Sequence, residues 1–241
     1  MAKLMTKSAF TIGLLCMLLS VPAFGASINK SIKIGAGEEA GGATSVNGSI
    51  SVGADAVVTG NLKTVNGTIR VDAGAQIEKA STVNGGLRIS QNVRSENLST
   101  VNGSVKVGES ANVDGDIGAV NGRITLERGA TVSEGIGNVN GEIELSGATV
   151  GGNIETVNGD IELADQSVVR GDIIVEKPSG WGWGKEKRRK PRIVIGPGSR
   201  VEGEIYLERE VELYISDSAE VGGVSGEMSM DDAKRFSGNR P

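Results

Sequence analysis

The chain has 241 residues, of which 37 are glycine, only 3% are aromatic and none is histidine. Its net charge of -5 at pH 7 argues against general binding to nucleic acid or to anionic membranes. Because histidine is absent, imidazole metal sites and His-based catalytic triads are excluded. Glycine together with abundant valine and isoleucine favours short strands broken by turns over helices.

The first 25 residues have the pattern of a secretory signal peptide. Lys3 and Lys7 precede an apolar run, and Pro22 is followed by Ala-Phe-Gly, an A-x-G site with small residues at the two positions where a signal peptidase requires them. We therefore predict cleavage after residue 25 and a periplasmic or extracellular protein; an uncleaved membrane anchor is the alternative. Cys16 lies within the apolar run, so the mature chain has no cysteine and cannot be stabilised by disulfides.

The tripeptide V-N-G occurs seven times, at spacings of 18 or 19 residues. Its asparagines are Asn47, Asn66, Asn84, Asn102, Asn121, Asn140 and Asn158. A period of about 18 residues is too short for a helical solenoid or a propeller blade and is typical of one coil of a parallel β-helix. We predict an all-β, single-stranded parallel β-helix over residues 26–227, with about ten coils.

The handedness of this β-helix is predicted from residue size near the corners. A left-handed hexapeptide helix is the alternative, because Val65, Val71 and Ile77 fall six residues apart. That fold keeps small residues where this chain has large ones such as Ile50 and Leu87, so the right-handed form is favoured.

Each V-N-G is interpreted as one corner of a coil. We expect the valine to point into the core, the asparagine to adopt left-handed backbone angles and the glycine to tolerate the turn. For the coil at Asn121, the predicted inward residues are Ile124, Leu126, Val132, Ile136 and Val139. Stacked asparagine amides are expected to hydrogen-bond along the axis, as in cross-β ladders. The alternative role of Asn47, Asn66 and Asn102 as glycosylation acceptors is less general, because the other corners lack the hydroxyl residue.

The strand after each corner carries outward charges that change sign along the chain. The charged residues of this predicted self-association face are Arg70, Arg88, Lys106, Arg123, Glu142, Glu144, Asp160 and Glu162. Solvated charges that keep a flat sheet soluble are the simple interpretation. The alternative is a dipolar face on which two antiparallel rods form a weak, closed dimer.

Residues 177–192 interrupt the repeat with both tryptophans, seven basic residues and one acidic residue. The predicted anion-binding or lipid-binding residues of this loop are Lys177, Trp181, Trp183, Lys185, Lys187, Arg188, Arg189, Lys190 and Arg192. Basic and aromatic side chains together suit anionic headgroups or glycans, whereas a solvated, disordered insertion is the simpler interpretation. Residues 228–241 lack the repeat and are predicted to be a disordered tail.

Stretches such as "GADAVVTGNLKTVNG" and "SGATVGGNIETVNGDIEL" resemble bactofilin-type, polymer-forming β-helices, and the "TVNGDI" units are equally similar to adhesin-type β-helices of bacterial envelopes. The resemblance covers roughly residues 30–225. It implies a right-handed triangular helix that assembles or scaffolds without a cofactor. Bactofilins are typically cytoplasmic, whereas this chain carries an export signal.

The predicted function is therefore a structural, scaffolding or adhesive component of the bacterial cell envelope, without enzymatic activity, metal or cofactor. The predicted partners are a second copy of the chain and an anionic glycan or lipid of the envelope, but not nucleic acid. A binding module acting through residues 177–192 is the alternative function. Ice binding through a row formed by Thr64, Thr82, Thr100 and Thr156 is a third reading, weakened because Ala119 interrupts the row.

Overall fold

A computed structural model describes residues 26–178 and 189–241 of the chain. These residues form a parallel β-solenoid of about ten stacked coils, which confirms the predicted fold. Each regular coil contributes one short strand to each of three sheets, and each strand pairs in parallel with its equivalent in the next coil. One short 3-10 helix, Met230–Asp232, is the exception to strands and turns among the described residues.

Sheet 1 contains the seven strands that follow a V-N-G corner and four equivalent strands of the end coils. Its eleven strands are, in stacking order, Ile32–Ile34, Ile50–Val52, Ile69–Val71, Leu87–Ile89, Val105–Val107, Ile124–Leu126, Glu142–Ser146, Asp160–Ala164, Arg192–Ile195, Glu212–Ser216 and Lys234–Phe236.

Sheets 2 and 3 complete each coil, sheet 2 with strands of two residues and sheet 3 with the strands that lead into the V-N-G corner. The sheet 2 strands are Glu39–Ala40, Val57–Val58, Gln76–Ile77, Arg94–Ser95, Asn112–Val113, Thr131–Val132, Thr149–Val150 and Val168–Val169. The sheet 3 strands are Ala26–Ser27, Ala43–Ser45, Leu62–Asn66, Ala80–Asn84, Leu98–Asn102, Ile117–Asn121, Ile136–Asn140, Ile154–Thr156 and Ile173–Val175. Two longer strands, Arg200–Leu207 and Glu220–Gly226, extend both sheets at the C-terminal end.

The core is a set of aliphatic columns because alternate residues of a strand point to opposite faces. In the coil that follows Asn121, the inward side chains of Ile124, Leu126, Val132 and Ile136 are at most 1% exposed. Burying one such side chain stabilises the fold by about 1.5–3 kcal/mol. Repetition of this pattern in every coil stabilises the whole stack.

The turn between sheets 1 and 2 requires the left-handed backbone conformation in coil after coil. The residues with positive φ at this turn are Gly37, Asp55, Gly74, Asn92, Ser110, Gly129, Gly147, Asp165, Gln166 and Gly198. Glycine, asparagine and aspartate tolerate this conformation best, which explains much of the polar composition of the turn. The left-handed column therefore lies at a corner different from the V-N-G corner, where it was expected.

The C-terminal segment is ordered, which corrects the prediction of a disordered tail for residues 228–241. Lys234–Phe236 pairs with Glu212–Ser216 and adds the last strand of sheet 1. Met228, Met230 and Ala233 pack against the hydrophobic core. The alternation in this segment is too short to be recognised in the sequence, and its side chains find a buried surface only after the preceding coil has formed.

No helix long and apolar enough to cross a membrane occurs in residues 26–178 and 189–241. The predicted signal segment, residues 1–25, lies outside the described residues.

Candidate functional site

The V-N-G asparagines form a continuous amide ladder along the solenoid axis. Each Nδ2 donates a hydrogen bond to Oδ1 of the asparagine one coil earlier, at 2.8–3.0 Å from Asn66 to Asn158. Asn47 continues the ladder by donating to Asn29 at 2.8 Å. The amide nitrogens of Asn47, Asn66 and Asn102, for which glycosylation was the alternative interpretation, are thus engaged in the ladder.

Sequence analysis missed both ends of the ladder. Asn29 precedes lysine rather than glycine, so the V-N-G pattern does not include it, although its spacing of 18 residues from Asn47 fits the period. At the other end, Nη1 of Arg209 donates to Oδ1 of Asn158 at 2.9 Å and to the Val157 carbonyl at 3.3 Å. Arg209 is 51 residues further along the chain, so only the stacking of coils reveals the contact.

The side chains at the V-N-G corner are oriented differently from the prediction. The valines are half-buried, and Val83 is 38% exposed, so the expectation that they enter the core, including Val139, is wrong. The residue before the valine points inward instead, as Thr64 and Thr100 show at 4% exposure. Successive residues of a strand point to opposite faces. Each sheet 3 strand begins with an inward aliphatic residue, so its third residue also points inward and its fourth residue, the valine, points outward.

The glycine of V-N-G is needed for close packing between coils rather than for a left-handed turn. A Cβ on Gly103 would lie 1.9 Å from the Gly85 carbonyl oxygen, and one on Gly122 would lie 1.8 Å from that of Gly103. Among the V-N-G residues only Gly141 has a positive φ. The expected left-handed asparagines are therefore not found, and the asparagine serves the amide ladder.

A second polar ladder lies just inside the corner. The hydroxyls of Thr64, Thr82 and Thr100 donate to glycine carbonyls of the preceding coil at 2.8–3.0 Å, and Nδ2 of Asn138 does the same at 2.9 Å. These side chains and that of Thr156 are at most 4% exposed. A buried threonine row cannot bind ice, so this interpretation is wrong.

The outward charges of sheet 1 lie in register, and several are ion-paired within the chain. Arg123 contacts Glu142 at 2.5 Å and Glu144 at 3.6 Å, while Lys106 contacts Glu127 at 2.6 Å. Arg189 pairs with Asp160, whose other carboxylate oxygen accepts the backbone N–H of Arg192 at 2.8 Å. Of the predicted self-association face, Arg70, Arg88 and Glu162 have no ion pair among the described residues.

The loop of residues 177–192 replaces the corner that follows Ile173–Val175. Trp181, Trp183, Lys185, Lys187 and Arg188 lie outside the described residues, as do residues 179–188 as a whole.

The four described cations of the loop lie at its two ends. Besides the Arg189 pair, Lys190 pairs with Glu210 at 2.5 Å, and the Arg192 guanidinium lies 5.0 Å from the centre of the Tyr214 ring. The backbone N–H of Lys177 donates to the Glu208 carboxylate at 3.1 Å. The re-entering end of the loop is therefore held by acidic and aromatic groups of the solenoid.

Glu155 is a buried acid that sequence analysis did not identify. It is 8% exposed, its Oε2 has no hydrogen-bond partner, and Asn153 reaches Oε1 at 3.5 Å. Desolvation raises the pKa of Glu155, opposed by the Asn153 hydrogen bond and reinforced by the Glu176 carboxylate. Desolvation, followed by the Glu208 charge, also raises the pKa of Glu176. No cluster of three acidic, histidine or cysteine side chains suited to a metal ion occurs in the described part of the chain.

Comparison of this chain with protein-family models, curated proteins and solved structures finds no match.

Proposed function

We propose that this protein is an exported, non-catalytic rod that serves as a structural, scaffolding or adhesive component of a bacterial cell envelope. The observation that carries the proposal is the regular stack of about ten coils, which displays outward side chains in register along one axis. Such a stack makes a rigid element whose flat faces can contact an extended partner at many equivalent points.

The polar ladders support a structural role. In an oxidising compartment, small domains often depend on disulfides, yet the mature form of this chain would have no cysteine. The amide ladder from Asn29 to Asn158 and the buried hydroxyl ladder tie each coil to the next. They supply the coil-to-coil connections that a load-bearing rod requires.

The C-terminal segment covers the last coil of the solenoid and thereby affects how two rods can assemble. Met228, Met230 and Ala233 pack against the core, and Lys234–Phe236 covers the edge of the preceding sheet 1 strand. A second rod added at this end would have to pair with this short strand or displace the segment. We therefore propose discrete rods rather than continuous filaments, with any self-association taking place through the sides.

Export is tested by fractionating cells that express the full-length chain and by determining the mass of the purified protein. The expected result is a periplasmic or secreted protein that begins at Ala26. A protein that retains Met1 and fractionates with the cytoplasm would refute the proposal.

Electron microscopy of the purified mature protein, with and without envelope extract, tests the rod. The expected images show single short rods alone and rods attached to envelope material when the extract is present. Long filaments of the protein alone would contradict the proposed discrete rod.

A further inference from the structure

The first five strands of sheet 1 carry a row of outward positions that is basic and free of acidic residues. The row is Lys33, Ser51, Arg70, Arg88 and Lys106, called here the basic strip. Its four cations are exposed, and Arg88 lies directly between Arg70 and Lys106 in register. Neighbouring strands are about 4.8 Å apart, so like charges oppose each other at a distance that destabilises a sheet.

The arginines of the strip differ from four other arginines of the described chain, each of which has an acidic partner there. Arg94, Arg123, Arg189 and Arg200 each form an ion pair with a neighbouring carboxylate. Within the described residues, neither Arg70 nor Arg88 forms one. An external anion would therefore relieve the repulsion between these two guanidinium groups.

A second copy of the chain fits the strip poorly. The antiparallel dimer would need the acidic half of sheet 1, yet Glu142 and Glu144 already pair with Arg123, and Asp160 pairs with Arg189. Glu162 is the one carboxylate of that block without an ion pair in the described residues. Forming the dimer would break internal pairs to make intermolecular pairs of similar, small value.

The surroundings of the strip favour a carbohydrate as the source of the anion. The parallel outward row holds Ser49, Thr68 and Ser104, whose hydroxyls can exchange hydrogen bonds with sugar hydroxyls. On the other side, Arg70, Arg88 and Lys106 border an open groove that Gln91, Glu109 and Glu127 also line. No aromatic side chain of the described residues lines this groove, so these residues offer none of the base stacking that stabilises single-stranded nucleic acid.

We infer that the basic strip binds a linear anionic polysaccharide whose sugar carboxylates pair with Arg70 and Arg88. Arginine matches a carboxylate through two parallel hydrogen bonds. The strand spacing is close to the length of one sugar residue in an extended chain, so the two arginines lie about one sugar residue apart. The inference rests on the proposed envelope role, which brings the rod into contact with such polymers.

The test measures binding of purified protein to an oligouronate, with neutral dextran of equal length as the reference, by isothermal titration calorimetry. The double variant R70E/R88E is compared with R94E/R200E, which changes the net charge equally on other faces. The wild type should bind oligouronate and ignore dextran. R70E/R88E should weaken oligouronate binding at least about 10-fold, because two charge-assisted hydrogen-bonded groups are lost. R94E/R200E should bind within about 2-fold of the wild type, because those two arginines lie outside the strip.

Further variants and ligands separate the alternatives. R70Q/R88Q removes the two charges without adding new ones of opposite sign. Its melting temperature should equal or exceed that of the wild type, and a loss of binding in this variant would then not be caused by unfolding. Equal weakening by both charge-reversal pairs would overturn the inference, as would stronger binding to single-stranded DNA or to anionic phospholipid vesicles than to oligouronate. A wild-type dimer that R70E/R88E dissociates in sedimentation velocity would identify a second copy as the occupant and also overturn it.

These outcomes are distinct from those of the export experiment. A protein that is exported but does not bind oligouronate refutes the strip alone, whereas a cytoplasmic protein that binds refutes only the envelope role.

Discussion

The V-N-G coils and the C-terminal coils share the same aliphatic core but form the corner between sheets 3 and 1 differently. In the V-N-G coils the corner combines an amide ladder with glycines in close contact. In the coil after Arg200–Leu207, Arg209 reaches back to Asn158, and the backbone N–H of the buried Val211 donates a hydrogen bond to Sδ of Met228. The comparison indicates that the aliphatic columns define the coil and that the corner stabilises it locally.

The largest expected effect comes from the glycine contact that distinguishes the V-N-G coils. Gly103→Ala places a Cβ 1.9 Å from the Gly85 carbonyl oxygen, which forces two coils apart. We expect the free energy of unfolding to fall by about 3 kcal/mol or more, measured by denaturant titration. Gly118→Ala is the matched control, since its Cβ would meet no atom within 4 Å, and its effect should be within about 1 kcal/mol of zero. Similar losses in both variants would contradict the close-packing role.

The amide ladder should give the second largest effect. Asn121→Ala removes one donated and one accepted hydrogen bond, to Asn102 and from Asn140, and should lower the free energy of unfolding by about 1–3 kcal/mol. Asn29→Ala, at the open end, removes only the acceptor for Asn47 and should lose less. Denaturant titration of both variants measures the difference, and equal, negligible losses would show that the ladder does not contribute.

In the buried hydroxyl ladder, removing one hydrogen-bond donor should destabilise the protein and adding one should stabilise it. Thr100→Val removes the donor to the Gly85 carbonyl and should lower the free energy of unfolding by about 1 kcal/mol. The equivalent position in the next coil is Ala119, so Ala119→Thr should supply a donor to the Gly103 carbonyl and stabilise the protein by up to about 1 kcal/mol. Thermal melting of the two variants should therefore shift in opposite directions; a loss in both would mean that the pocket at residue 119 is too small.

The smallest change is expected at Glu155, and it depends on pH. Because the folded-state pKa is raised, the folded chain binds the proton more tightly than the unfolded chain. This contribution to stability is fully present below the unfolded pKa and is lost as pH rises through the folded pKa. Glu155→Gln should consequently raise the melting temperature at neutral pH, and the gain should shrink on acidification.

The exposed Glu109 provides the control for this variant. Glu109→Gln should have little effect on the melting temperature at either pH. A Glu155→Gln variant that melts below the wild type at neutral pH would contradict the expectation that the desolvated, charged carboxylate destabilises the folded chain.

Much of the fold could be predicted because the repeat is local and strict. The 18- or 19-residue spacing of the asparagines, with aliphatic residues at fixed offsets, is sufficient to predict stacked coils, in-register amides and outward rows. The same reasoning placed the V-N-G valines inside and the threonines outside, which is the reverse of the structure. A shift of one residue exchanges the two faces of a strand, and both valine and threonine are common in strands.

The sequence by itself determined the solenoid, its period, the asparagine column and the charge rows, because each depends on residues that recur one coil apart. Only the tertiary structure decided which of those charges are neutralised. Arg123 meets Glu142 because the coils stack, and Arg189 meets Asp160 because the chain re-enters the solenoid there after the loop of residues 177–192. It likewise decided the Arg209 contact, the buried Glu155 and the packing of Met228 and Met230 on the core. The contacts of Arg189, Arg209 and the methionines join positions that are not one repeat apart, so they exist only once the coils are stacked.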